Sequence, residues 1–319
     1  MDRLDEIVRN ECDTCGFSAA GVVAYEPLET ERERFQTWLA AGYGADMGYL
    51  ARSASYRHDL RRLFPEVRSV VVTLTSYRRP PEVCQPEGVP RIARFAWGRD
   101  YHDVLKRNLR RLLEAVRRHE GFAAAKGRAV VDSAPAFERA WAVRAGLGWV
   151  GRSSMLVHPR LGSFTLIGLL LLDVPLPEDF APPAEVPDGC GACRRCMEAC
   201  PTGAIVAPRT LDARRCLSYQ TIERREAVEP AFRPALEGRI FGCDRCMEVC
   251  PYNNRAGIPL LLPGCGLEAN PVQLSATVSE WEEMSEAEFA ERFGASPLSR
   301  AGLAKLRSSL PHRNKSCGV

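Results

Sequence analysis

Eight of the chain's 13 cysteines fall between Cys190 and Cys250. Cys190, Cys193, Cys196 and Cys200, followed by Pro201, form C-x2-C-x2-C-x3-C-P, the ligand run of a [4Fe–4S] cluster. Cys243, Cys246 and Cys250, followed by Pro251, repeat its last three positions, and Cys216 between the runs replaces the missing ligand. Close spacing lets three loop thiolates wrap one face of a cube while the fourth arrives from a distance. Where two clusters share a domain, the cysteine before the proline crosses to the other cluster. That rule assigns Cys190, Cys193, Cys196 and Cys250 to one cluster and Cys200, Cys216, Cys243 and Cys246 to the other. Zinc is the alternative, because C-x2-C pairs also build structural sites, but zinc needs four ligands per site and no crossover.

Two such clusters relay electrons singly, and with a cysteine on every iron neither offers an open metal. The chemistry therefore belongs elsewhere, and the preceding residues must hold a second cofactor or the substrate. The remaining cysteines carry less. Cys12 and Cys15 have C-x-x-C spacing without the strand-to-helix context of a redox motif, and Cys84, Cys265 and Cys317 read as ordinary side chains.

The elements that must position this chemistry read as two or more domains in 319 residues. With 45% apolar and 26% charged residues the chain is globular rather than disordered. Its longest apolar stretch, 166–172, is too short to cross a bilayer, and the mixed-charge N-terminus lacks a signal core, so a cytoplasmic protein is expected. A net charge of +3 permits an anionic partner without demanding one. Residues 1–180 read as α/β, with β-branched strands at 19–25, 69–76, 129–132 and 164–173. Between them Leu105, Leu109, Leu112, Leu113 and Val116 mark one face of a helix over 102–119. Pro135 is expected to start a second helix over 136–145, closed by Gly146. Five prolines in 173–187 predict an extended linker. Beyond the cysteine region an acidic amphipathic helix is expected around 279–293, then a basic tail to Val319.

Several stretches together resemble the epoxyqueuosine reductases: Asp132-Ser-Ala-Pro135, Glu138-Arg139-Ala140, Arg144 to Ser154 with its glycines, and Gly162-Ser163. Met47 to Leu50, Arg94 to His102 and Cys216 to Glu223 are similar too, and the likeness covers roughly residues 1 to 300. The resemblance implies a nitroreductase-like cobalamin-binding domain over 1–180, a ferredoxin-like domain with two [4Fe–4S] clusters over 181–265, and a short helical C-terminal segment over 266–319. It implies the last step of queuosine biosynthesis, reduction of the epoxide of epoxyqueuosine at the wobble position of tRNA, with electrons passing from the clusters to base-off cobalamin. Asp132 stands where the family has its proton donor, and protonation near neutrality requires burial to raise its pKa. Its position ahead of Ala134-Pro135 also suits a helix N-cap. Cobalamin contacts implied by the matching stretches are Arg57, Tyr101, Asp132, Arg139, Trp149, Ser153, Ser154, Met155, Ser163, Ser218, Arg225, Cys243 and Asp244. Arg152-Ser153-Ser154 departs from the family's usual Lys-Asn-Thr, and no D-x-H-x-x-G box supplies a cobalt-ligating histidine.

For the tRNA, arginines cluster at Arg57, Arg61, Arg62 and Arg68, at Arg78 and Arg79, along 106–118, and at Arg224 and Arg225. Guanidinium groups bind phosphate and stack on unpaired bases, although the 106–118 face also suits plain solvation. Longer family members carry additional C-terminal helical repeats, for which Arg307, Arg313 and Lys315 are partial substitutes. A monomer with a separate electron donor is expected. Two other readings keep part of the pattern. A reductive dehalogenase-like corrinoid enzyme would act on a small molecule, and a ferredoxin-type carrier would leave Asp132-Ser-Ala-Pro135 unexplained.

Overall fold

A four-stranded sheet organises the N-terminal half of the computed structural model, which describes residues 3–311. Its strands run Ala19–Ala24, Ser69–Ser76, Thr165–Leu172 and Gly127–Val130 in spatial order, every neighbouring pair antiparallel. Val71 pairs with Val22 on one side and Leu170 on the other. Side chains alternate between the two faces of a strand. Val71, Leu170 and Leu172 accordingly join one core, and Val70, Val72, Leu74, Leu169 and Leu171 the other. Helices cover both faces, which is why these antiparallel strands are apolar almost throughout. The first face packs against Tyr101–Arg117, through Leu105, Leu109, Leu112 and Val116, and against Leu4–Glu11. The second receives Trp141 and Ala142 from Glu138–Arg144.

The helix expected over 136–145 is shorter. Residues 132–137 turn first, with Ala134 N–H donating to Val131 O and Ala136 N–H to Ala134 O, so Pro135 lies in that turn and not at the first helical position. The strand expected at 129–132 ends at Val130, leaving Asp132 outside it. Residues 173–187 contain neither helix nor strand, and Pro183 passes so close to Gly146 (φ +69°) that a Cβ there would lie 2.9 Å away.

Two short helices, Arg195–Glu198 and Arg245–Glu248, carry the repeated cysteine runs and pack together. Arg239–Phe241 pairs in parallel with Arg91–Ile92. The chain then returns to the first domain. Cys265 and Leu267 are buried under the Tyr101–Arg117 helix, where Asn108 Nδ2 donates to Cys265 O at 3.0 Å and Arg79 donates to Leu267 O at 2.6 Å.

The single helix expected around 279–293 is two. Val278–Glu283 and Glu286–Phe293 each begin with a capping box, Thr277 with Glu280 and Ser285 with Glu288. Such a box closes the first turn and fixes a fresh start. Trp281 and Phe293 stack at 4.7 Å and share a core with Trp97, Ile240 and Phe241. That core carries the following turn, Pro297–Arg300, and the helix Leu303–Ser308. Arg313, Lys315 and Cys317 lie outside the described residues. Among the described residues, no helix is long and apolar enough to cross a membrane.

Candidate active site

Asp100 caps the Tyr101–Arg117 helix by accepting from His102 N–H at 2.9 Å, which fixes Tyr101 and His102 in its first turn. Both aim at Asp132. Tyr101 donates to Asp132 Oδ2 at 2.5 Å, and His102 Nε2 lies 2.6 Å from Asp132 Oδ1. On its other side His102 Nδ1 is 2.6 Å from Asp100 Oδ1. A buried imidazole thus sits between two carboxylates. Burial disfavours its charge, but the Asp100 and Asp132 contacts outweigh that and push its pKa up to about 9.

In the chain by itself the same contacts oppose the rise expected for Asp132. Burial alone raises a carboxyl, but His102 and then Tyr101 stabilise the carboxylate and hold it below its ordinary value. At neutral pH His102 is therefore charged, and it faces Asp132 as an ion pair at 2.6 Å whose Nε2 lacks hydrogen-bond alignment. Glu138 behaves in the opposite way. Burial, with Asp132 nearby, pushes it up to about 7, and its Oε1 is buried without a partner. The Asp132 side chain is 52% exposed although these groups surround it.

Other expected site residues make local contacts or bind the sheet region to the cysteine region. Arg57 is half-buried, donating to Ser53 Oγ at 2.8 Å and to Ala136 O at 3.4 Å. Arg139 donates to Ser154 O, and Ser154 adopts a left-handed φ of +65° with its buried Oγ unpartnered. Met155 packs against the cluster of Tyr77, Phe164 and Met247. Ser163 is locked to the cysteine region: its N–H donates to Asn253 Oδ1 at 2.7 Å, and Asn253 Nδ2 donates to its Oγ at 2.9 Å. Gly162 makes this possible, since a Cβ there would lie 2.0 Å from Asn253 Oδ1. Ser153 is half-buried and Arg225 exposed, and neither is brought to Asp132 by a contact.

The two ligand sets expected from the spacing remain a proposal, which the electrostatic neighbours of the thiols support. Cys196 feels the charges of Cys190, Cys193 and Cys250, whereas Cys246 feels Cys216, Cys243 and Cys200. Mutual repulsion and burial raise both, the strain that bound iron relieves by taking the thiolates. Donors already face the sulfurs, as hydrogen bonds to cluster thiolates require. Trp149 Nε1 lies 3.4 Å from Cys190 Sγ, Ala204 N–H lies 3.2 Å from Cys200 Sγ, and the Ser218 backbone serves Cys216. Asp244, between Cys243 and Cys246, is buried and accepts from Arg94 N–H at 2.8 Å, while its Oδ1 has no partner. Cys12 and Cys15 are buried in the sheet's core, with the Cys12 thiol pushed up to about 12 by burial.

Sequence reasoning assigned no role to Asp100, His102, Glu138 or Arg300. Arg300 enters from the C-terminal turn and lies within electrostatic reach of Asp132, Asp100 and Tyr101. The S/T-x-x-E signals at Thr277 and Ser285 mark the helices that carry it, but nothing local marks its target. Several expected tRNA arginines are spent inside the fold. Arg79 donates to three carbonyls, and Arg307 donates to Trp281 O and Met284 O.

Comparison with known proteins adds names to this geometry. Residues 57–133 match the family described as "Epoxyqueuosine reductase QueG, DUF1730", and residues 189–253 match "4Fe-4S double cluster binding domain". The epoxyqueuosine reductase of Cyclobacterium marinum is 36% identical over 94% of this chain and 93% of its own. An epoxyqueuosine reductase crystallised with an epoxyqueuosine-modified tRNA-Tyr stem loop superposes with a TM-score of 0.81 at 26% identity, over 95% of this chain and 78% of that one. The Bacillus subtilis enzyme, in a structure with its aspartate catalytic loop swung out of the active site, gives the same score, identity and coverage.

Proposed function

The chain belongs to the epoxyqueuosine reductase family and is an oxidoreductase acting on tRNA. From that premise we propose that the His102–Asp132 pair delivers a proton to the oxygen leaving epoxyqueuosine. The observation that carries this reading is the 2.6 Å contact between His102 Nε2 and the half-exposed Asp132 carboxylate, to which Tyr101 also donates.

Converting an epoxide to an alkene releases its oxygen as water and takes two electrons and two protons. The two [4Fe–4S] clusters supply electrons singly, so the proposal needs a centre able to collect a pair beside Asp132. The residues fit cobalamin in that place. Ser154 Oγ, Glu138 Oε1 and Asp244 Oδ1 are buried polar atoms without partners, and a corrin ringed by amides satisfies such atoms. Arg57, Arg139, Trp149, Ser153, Met155, Ser163, Ser218 and Arg225, from the same segments, complete the proposed set. Bound there, cobalamin supplies a strongly reducing, nucleophilic metal centre.

The protein's own part is to hold and move protons. Asp132 is the group presented to the substrate oxygen, and His102 is the reservoir that reloads it. Asp100 steers the imidazole, because its carboxylate fixes Nδ1 and leaves the Nε2 proton for Asp132. Tyr101, with its phenol kept protonated by burial and by Asp132, holds the carboxylate in place. The second proton has a source in Glu138, whose pKa of about 7 leaves it partly protonated at neutral pH. A cytoplasmic monomer fed by a separate electron donor completes the reading, since thiolate-bound clusters need a reducing compartment.

Asp132→Asn tests the assignment. The variant should bind cobalamin and modified tRNA like the wild type while turnover falls by about 100-fold or more. Wild-type turnover in a variant with normal binding would remove Asp132 from the mechanism.

A further inference from the structure

Three segments far apart in sequence meet within electrostatic reach of Asp132. Tyr49 comes from the short helix Gly48–Ser53, Glu223 from the turn after Cys216, and Arg300 from the C-terminal turn. The Tyr49 hydroxyl lies 3.4 Å from Glu223 Oε2, and Arg300 Nη2 lies 3.8 Å from Glu223 Oε1. One carboxylate therefore tethers a ring and a guanidinium side by side. Both are open to solvent. Tyr49 is 40% exposed and is the only aromatic ring among the described residues to stand so far out, while the Arg300 side chain is 52% exposed. The Glu223 contact is long, which leaves most of the guanidinium donors for another acceptor.

The surroundings say what that acceptor is. Arg300 lies within electrostatic reach of Asp132, Asp100 and Tyr101, and Tyr49 within reach of Arg300 and Arg57. An exposed ring with a forked cation beside it matches an unpaired nucleotide, whose base stacks and whose phosphate pairs with arginine. Asp132 alone would repel a polyanion, so a cation beside it is what an approaching phosphate requires.

We propose that Tyr49 and Arg300, aligned by Glu223, seat a nucleotide of the anticodon loop next to the wobble position, the base against the Tyr49 ring and its phosphate on Arg300. The proposal rests on tRNA being the substrate. Arg300 is a positioning residue here, and the C-terminal segment becomes part of the tRNA grip.

A phosphate on Arg300 has two possible sources, the tRNA and the nucleotide loop of the corrinoid, and the experiment separates them. Tyr49→Ala, Tyr49→Phe, Arg300→Gln and Arg300→Lys are prepared as full-length protein with both clusters reconstituted. Binding of an epoxyqueuosine-bearing anticodon stem loop is measured over a range of salt, and cobalamin binding is followed by absorbance. Tyr49→Ala and Arg300→Gln should each weaken stem-loop binding by about 10-fold and raise KM far more than they change kcat. Arg300→Gln should also reduce the slope of log K against log salt by about 0.7, as loss of one single-strand phosphate contact does, whereas Tyr49→Ala should leave the slope in place. Tyr49→Phe keeps the ring and should bind normally, and Arg300→Lys should keep the slope.

Unchanged stem-loop binding in both loss variants overturns the proposal. So does weakened cobalamin binding with normal tRNA binding, which would give Arg300 to the corrinoid. If the wild-type protein itself neither binds the stem loop nor reduces it, the tRNA reading has failed, and that result is distinct from failure of the seat.

Discussion

His102 Nε2 lies 2.6 Å from Asp132 Oδ1, an ion pair in which the imidazole carries the proton at neutral pH. The carboxylate that the motif marks as an acid is thus the ionised half of an acid–base couple. Its strength as a donor depends on a residue 30 positions earlier in the chain.

This couple sets a pH dependence. His102 has a native pKa of about 9 against an ordinary 6.5, so the charged pair is intact through neutrality and is lost as pH rises through about 9. Single-turnover reduction should be level near neutrality and fall through that range. The stabilisation from His102 follows the same course, full below about 6.5 and gone above about 9. Asp132 and Asp100 are held below 3.8, so their contribution is present above that value and disappears as pH falls through their native pKa values. His102→Gln should abolish the alkaline limb and slow turnover by about 100-fold. An unchanged alkaline limb in that variant would assign it to another group.

The crossed ligand sets make a prediction that sequence proximity alone would not. On the proposed crossover Cys250 ligates with Cys190, although it sits within the run of Cys243 and Cys246, and its electrostatic neighbours are Cys190 and Cys193. Replacing Cys190 and Cys250 together by alanine should therefore remove one cluster and leave about half the iron, because both changes fall on the same cube. Replacing Cys200 and Cys250 together should damage both clusters. Iron analysis with electron paramagnetic resonance of the reduced proteins distinguishes the two patterns, and equal losses from both pairs would contradict the crossover.

Asn253 joins the cluster region to the catalytic region. Its side chain receives the Ser163 N–H and donates to Ser163 Oγ and to Met247 O. Asn253→Ala strands a buried N–H, at a cost of about 2 kcal/mol. Gly162→Ala should be at least as harmful, because the new Cβ would lie 2.0 Å from Asn253 Oδ1 at a φ of +72°. Anaerobic thermal unfolding of the cluster-loaded proteins should show both as lowered midpoints, and an unchanged midpoint in either would discount the lock.

What the sequence made legible follows the range of each interaction. The cluster ligands are spaced within a few residues, so Cys190 to Cys250 could be paired without coordinates. The helix carrying Leu105, Leu109 and Leu112 announced itself through periodicity, and its observed span, Tyr101–Arg117, differs from the expected one by a residue or two at each end. The pull that lowers the Asp132 pKa was not legible, because it comes from His102 and Tyr101, which reach it only through the fold. Arg300 was passed over for the same reason, since its place depends on Trp281 and Phe293 packing beside Trp97. The split at Met284 was legible in principle, because Thr277-x-x-Glu280 and Ser285-x-x-Glu288 are two start signals where one helix was expected.

The central claim is tested most directly with anaerobically reconstituted protein, cobalamin, a strong reductant and tRNA carrying epoxyqueuosine. After digestion to nucleosides, mass spectrometry should show the modified nucleoside lighter by one oxygen, and only when cobalamin is present. An epoxide that persists on tRNA while both clusters and cobalamin are bound would contradict the account.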